Sequence, residues 1–411
     1  MERTTALLLI LTLACSEPSN DGVESVSQTV IGDTVVLTTD ARPPVFRIDS
    51  VGVFWQSNDL GRPQPIGATD TKLLVGDRDR LHVLDLHSGI GRTMGRSGEG
   101  PGEYRLIVLA TEWSADSILV VDGILRRASI LSPDGEYVRS ESLPATFPFV
   151  NFRRWNNTVV AGERAMMLLL DTNMDNRNDV STRSALTRLD FVTDSSTVIA
   201  EWPDLRFMNV GARYVAPRTL FVEELKIALS PDGSVAVGDG LDYCFTVRRY
   251  AEEIQEQPAV RRVCRVWERP KLRDSVLNPD FSALPITDEA RRELYEIEAQ
   301  QSKPDYLPSY DQLRWDASGR VWVRTVPAEL ADIHPLVLAY LPESGPEYRR
   351  WEVFRIDGSL EATLEMPGLF VPSVITEEAA YAAFELASGE LTIGRIELPA
   401  KLRNRTGTSQ R

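Results

Sequence analysis

The sequence predicts an all-β fold: a six-bladed β-propeller of four-stranded antiparallel blades, with one short helical insertion and ring closure by an N-terminal strand. Three observations predict it. One kind of turn recurs after an apolar stretch, in WSADSILVVD (113–122), IALSPDGSVAVGD (227–239) and RWDASGRVWVR (314–324). A second kind joins two alternating strands, in VLDLHSGIGRTM (83–94), SILSPDGEYVRS (129–140), RLDFVTDSSTVIA (188–200) and FRIDGSLEATLEM (354–366). Asp-Gly and Ser-Gly at such turns are hairpin signals, because glycine reaches positive φ without strain. The third observation is the period: Gly89 and Gly135 stand 46 positions apart, within the ~40–50 residues of common propeller repeats. A pair of β-sandwiches is the other fold these strands could build, and the repeated four-strand unit speaks against it.

The elements follow in chain order. Arg3, the apolar run Ala6–Leu13 and Ala14-Cys15 are the parts of a secretory signal. The run is too short for a permanent span, which needs ~20 apolar residues. Thr12-Leu13-Ala14-Cys15 resembles the bacterial lipobox, which implies a signal peptide over 1–15, lipidation of Cys15 and attachment to a membrane through that lipid. Ser16 resembles the residue that permits outer-membrane sorting, so the expected location is the periplasmic side of the envelope. Residues 16–30 are polar and read as a flexible tether. The propeller is expected over 31–400, with blades at about 65–96, 104–145, 148–203, 220–268, 310–366 and 369–398. The last unit holds only three strands. Its fourth is expected from TVVLTT (34–39) or VFRIDSVGVFW (45–55), closing the ring and removing an exposed edge. Residues 401–411 read as a disordered tail.

Two excursions exceed the repeat, 171–182 and 268–309. The second contains one amphipathic helix, TDEARRELYEIEAQ, with Thr287 as N-cap and Asp288 and Glu289 in its first turn. Ala290, Leu294 and Ile297 form a narrow stripe expected to dock the helix on the disc.

A formal charge of −15 excludes a nucleic-acid partner, whose phosphates require a basic face. It also excludes an electrostatic grip on anionic lipid.

GEGPGEY (98–104) lies between one unit's outer strand and the next unit's inner strand. A phosphate cradle needs a helix N-terminus behind it. Here Pro101 interrupts the string, Arg105 begins a strand-like run and no Gly-Lys-Ser/Thr follows. Gly98, Gly100, Pro101, Gly102, Glu103 and Tyr104 therefore read as an interblade connection, with Glu103 bonding neighbouring amides. The string resembles a signature of bacterial six-bladed propeller lipoproteins of the NHL-like and TolB-like group. The resemblance spans roughly 60–398 and implies a fold and a compartment more than a reaction.

The sharpest site is DTNMDNRNDVS (171–181). Side chains of Asp171, Asn173, Asp175 and Asp179, with the carbonyl of Arg177, suit a structural Ca²⁺, which takes six to eight oxygens. The loop resembles the DxNxDGRxD loops of integrin-type propellers, with Asn176 where glycine is usual; a solvated hairpin tip is the other reading. Of three cysteines, lipidation of Cys15 leaves Cys244 and Cys264 in two alternating segments, either as a disulfide across a hairpin or as two thiols. His82, His87 and His334 lack ligand partners at useful spacing and read as structural. Trp113, Trp315, Trp322 and Phe370 read as core. The expected function is binding or scaffolding for a protein or small-molecule ligand. The alternative is a lactonase-like hydrolase or lyase with a divalent metal in the channel; the side chains that line the channel separate the two.

Overall fold

The computed structural model describes residues 26–403 except 58–59, 115–116, 144–157, 161–164, 173–179, 191–194, 211–213, 218–224, 231, 251–259, 342–343 and 387. Its strands form six blades in a β-propeller. Blade one runs Gln64–Ala68, Lys72–Asp77, Arg80–Asp85 and Gly91–Met94. Blade two runs Ile107–Ser114, Ser117–Asp122, Arg127–Leu131 and Tyr137–Ser142. Blade three comprises Thr158–Val160, Ala165–Thr172, Val180–Asp190 and Ser195–Val210, and a fifth strand, Tyr214–Pro217, carries it beyond position 203. Blade four comprises Lys226–Leu229, Ser234–Gly238, Cys244–Arg249 and Val260–Arg265. Blade five comprises Tyr310–Trp315, Val321–Thr325, Tyr348–Phe354 and Leu360–Pro367. Blade six comprises Val374–Ile375, Ala379–Glu385 and Leu391–Glu397, and Gly52–Trp55 completes it as an antiparallel fourth strand.

The N-terminal chain does more than close the ring. Thr34–Thr39 pairs parallel with Val260–Arg265 on the rim of blade four, and Val26–Ile31 pairs antiparallel outside it. Val45–Arg47 then pairs parallel with Leu360–Pro367 of blade five. The segment thus laces blades four, five and six in succession. Of the two expected closing strands, TVVLTT thickens blade four, and the second segment supplies the closure. The expected tether is also shorter, because a strand begins at Val26. At the other end Leu402, read as tail, is 1% exposed and packs between blades five and six.

Apolar clusters weld each blade to the next. Leu73 and Val75 meet Ala379 and Ile393 of blade six, whereas Leu74 between them meets Ile107 and Ala110 of blade two. Both faces of a blade are therefore buried, which is why LLV and LVV read as unbroken apolar runs. Leu119 meets Leu189, and Leu186 meets Ile227 and Leu229. Phe245 and Val263 meet Val323 and Leu360, and Trp351 and Leu364 meet Ala380 and Ile396. Each such large side chain contributes roughly 1.5–3 kcal/mol through burial.

A polar device recurs at the end of the second strand. Asp77 accepts the backbone N–H groups of Gly61 and Arg62 at 2.9 and 2.6 Å. Asp122 accepts those of Arg105, Leu106, Ile124 and Leu125 at 2.6–3.3 Å. These buried carboxylates pin the chain arriving from the preceding blade, and each is satisfied by hydrogen bonds, as burial demands.

The helical part is larger than expected. The 268–309 excursion holds α1 (Asp274–Leu277) and α2 (Asp288–Gln300), and Thr287 caps α2 through Ala290 N–H at 3.2 Å. A second lies inside blade five, with a 3₁₀ turn, Ala328–Asp332, and α3 (Pro335–Tyr340). Leu294 and Ile297 pack on Phe281, Leu284, Leu336 and Val337 rather than on the disc. The two excursions bury one another's apolar residues, a partner that neither pattern reveals alone.

Candidate functional site

The inner strands of blades one, five and six end at tight turns on one face of the ring, and there a cavity of about 890 Å³ opens. Its wall comes from Ile66–Thr71 of blade one, Leu109, Thr111 and Glu112 of blade two, and Ala228 and Leu229 of blade four. Arg314–Ala317 of blade five, Ser373–Glu378 of blade six and Asp85–His87 of blade one also line it. The helical excursion enters the ring at the start of the inner strand Tyr310–Trp315, so it attaches at the opposite end from the cavity.

The charge around the cavity is lopsided. Among the described residues, Asp70, Asp85, Glu112, Asp316, Glu377 and Glu378 line it, against the guanidinium of Arg314 and the imidazole of His87. Two of the carboxylates are committed to structure. Asp316 accepts Arg320 Nε at 2.6 Å and Trp322 Nε1 at 2.8 Å, as well as the Ser318 and Arg320 amides. Asp85 accepts from the Ser88 amide and hydroxyl and pairs with Lys72 at 3.0 Å; the Ser88 amide first, then Lys72, hold it well below the usual carboxylate range. Asp70, Glu377 and Glu378 sit exposed at the turns. Arg314 donates to the carbonyls of Pro372 and Leu313 at 3.3 and 2.9 Å, which fixes its guanidinium beside the cavity. Trp315 Nε1 donates to Ala228 O at 3.0 Å, joining blades five and four. An array of this kind attracts cations and hydrogen-bond donors and repels anions.

The residues singled out in the sequence lie elsewhere. Cys15, Asn173, Asp175, Arg177 and Asp179 fall outside the described residues. Asp171 pairs with Ser184 near the end of a strand, so the 173–179 segment joins two antiparallel strands. Cys244 and Cys264 form a disulfide between paired strands, with Cα atoms 4.1 Å apart. In the interblade string, Arg96–Ser97 pairs parallel with Glu103–Tyr104. Glu103 accepts the amides of Gly100 at 2.8 Å and Glu99 at 3.0 Å and pairs with Arg96 at 2.7 Å, contacts that lower its pKa. Arg127 of blade two donates to the carbonyls of Glu99 and Gly100 at 3.0 and 3.1 Å, and also to that of Glu103. Gly102, at φ +71°, makes the turn that lets these groups converge.

His82 is buried, 2.8 Å from Thr93 Oγ1, and His334 is buried among the helices. His87, read as structural, is exposed at the cavity edge. Trp315, read as core, is partly exposed on the cavity wall. Sequence reasoning missed the cavity residues. The available signal was the acidic first turn of three blades: ATDTK, WDASG and ITEEA. Among the described residues, no three His, Cys, Asp or Glu side chains group so as to hold a metal ion.

No protein-family model matches the chain, and no curated protein does. Among solved structures, a member of the DUF4221 family from Bacteroides vulgatus is 10% identical, with a TM-score of 0.43, over 85% of this chain and 99% of that one. A calcium-binding protein, regucalcin, from Agrobacterium tumefaciens is 10% identical, with a TM-score of 0.38, over 87% and 96%. A gluconolactonase from Xanthomonas campestris is 12% identical, with a TM-score of 0.37, over 80% and 82%. The propeller assignment rests on the strand pairing described above.

Proposed function

We propose that this protein is an envelope-anchored binding propeller whose central cavity holds a small polar ligand, neutral or cationic. The observation that carries the reading is the cavity itself. Its volume of about 890 Å³ suits a small molecule, for which ~300–1,000 Å³ is usual. Its wall is built on strand ends, so the polar groups are held in place before a ligand arrives. Among the described residues carboxylates outnumber cations around it, which disfavours an anion.

The test is a melting series with neutral sugars, amines and carboxylates as probes. A sugar or amine at 100 times its Kd raises stability by ~2.7 kcal/mol. Ala317→Trp, at an exposed cavity position, fills the space and removes that rise while leaving the unliganded melting temperature in place. If the rise is equal in this variant, the ligand binds elsewhere.

The lipobox resemblance supplies the anchor. Metabolic labelling with a palmitate analogue is expected to mark the parent and leave Cys15→Ser unlabelled; equal labelling removes the anchor from the reading. The 171–181 loop is read as a structural Ca²⁺ site, since Asp171, Asn173, Asp175 and Asp179 recur at short spacing in its sequence. Free Ca²⁺ is then expected to raise the melting temperature by mass action, and Asp175→Ala to abolish the rise. A chelator without effect on the parent reduces the loop to a polar hairpin tip.

A further inference from the structure

Between the two helical excursions lies a polar cluster that neither the ring nor the cavity uses. His334 is 2% exposed and stands at the N-cap of α3. Its Nδ1 accepts the backbone N–H of Leu336 at 3.1 Å, so Nδ1 bears no proton. Its Nε2 lies 2.8 Å from Glu298 Oε2 on α2, so the proton sits there and is donated to the carboxylate. The other Glu298 oxygen pairs with Lys303 at 2.8 Å, and Lys303 also donates to the carbonyl of Leu277 at the end of α1. Phe281 meets the imidazole edge-on at 5.3 Å, with the Tyr295 ring tilted against Phe281 at 5.0 Å. Among the described residues Glu298 and Lys303 are thus the charged groups facing His334, and the nearby Arg273–Asp332 pair closes on itself at 3.0 Å. The imidazole joins α3 to α2, and Lys303 extends the chain of contacts from Glu298 to α1.

We propose that His334 is a proton-operated latch: neutral, it holds α3 to α2, and protonated, it releases α3. The geometry allows only one protonation state. A second proton would occupy Nδ1, removing the acceptor for Leu336 N–H and pointing two donors at each other. It would also place a positive charge at the positive end of α3. A six-residue helix has almost no stability of its own and depends on such contacts. Burial pushes the imidazole below its ordinary range, against the pull of Glu298, while Lys303 adds to the lowering. A group whose folded pKa is depressed in this way favours the fold when neutral. The latch is therefore closed above ~6.5, the ordinary histidine value, and opens as pH falls below it. Acidification loosens the helical cap and leaves the propeller ring intact.

Hydrogen exchange by mass spectrometry on the full chain tests this. Between pH 7.5 and 5.0, peptides covering 328–341 are expected to lose protection on the order of tenfold after correction for intrinsic rates, a tenfold change per pKa unit. The inner strand Tyr310–Trp315 should keep its protection. His334→Asn retains a cap acceptor that does not titrate, so its α3 protection should be flat with pH. Glu298→Gln keeps a hydrogen-bond partner but removes the charge that raises the imidazole, so the loss should move to lower pH. Unchanged wild-type protection, an equal loss in His334→Asn, or an unmoved midpoint in Glu298→Gln overturns the latch.

Discussion

Glu352→Ala is expected to cost the propeller about 3–5 kcal/mol, the usual penalty for removing one partner from a buried ion pair. Glu352 is wholly buried in the third strand of blade five. It pairs with Arg265 from blade four and with Arg350 at 3.2 Å, and it accepts the hydroxyl of Tyr243. Arg265 is itself only 10% exposed at its side chain, lying near the rings of Tyr243 and Trp267. Burial lowers the Arg265 pKa and raises that of Tyr243, and the carboxylate gives each of them a buried partner. Removing the carboxylate leaves a guanidinium stranded between two blades. The melting temperature should fall by about 10 °C. A triple variant, Arg265→Met, Glu352→Leu and Tyr243→Phe, should regain most of the loss, because packed apolar groups replace buried charges at little cost. Thermal and denaturant unfolding followed by circular dichroism read both variants. A loss under ~1 kcal/mol in Glu352→Ala would show that water reaches the pair.

Replacing Cys244 and Cys264 together by serine should cost ~3 kcal/mol, from the chain entropy of the loop released in the unfolded state. The bond closes a segment of sequence separation 20. It ties the two outer strands of blade four, and the outer one also carries Thr34–Thr39. Reduction should lower the melting temperature of the parent by a similar amount and leave the double serine variant unmoved. Equal responses of both proteins to reductant would place the effect elsewhere.

Much of the ring was legible because its signals are local. Asp134-Gly135 announces a hairpin, and Gly135 adopts φ +77° where the turn requires it, with Met94 packed against the place a Cβ would occupy. Thr287 announces the start of α2 for an equally local reason, since its hydroxyl meets an amide three residues on. The cavity was not legible. Asp70, Glu377 and Arg314 belong to three blades and look like ordinary surface charges until the ring brings them to one rim. The same holds for His334, whose partner Glu298 is 36 residues away on another excursion.

The sequence by itself determined most of the blade strands, their turns, their grouping into units and the Gly-Pro-Gly link between blades, but not the strands Val26–Ile31 and Tyr214–Pro217. Each depends on backbone preferences and alternation within a few residues. Only the tertiary structure decided where the N-terminal segment goes, which face the helices cover and which charges meet. Those outcomes depend on pairings between distant segments. Val35 can lie beside Arg261 and Phe46 beside Leu364 only after the blades exist to offer open edges, and no local pattern encodes which edge is taken.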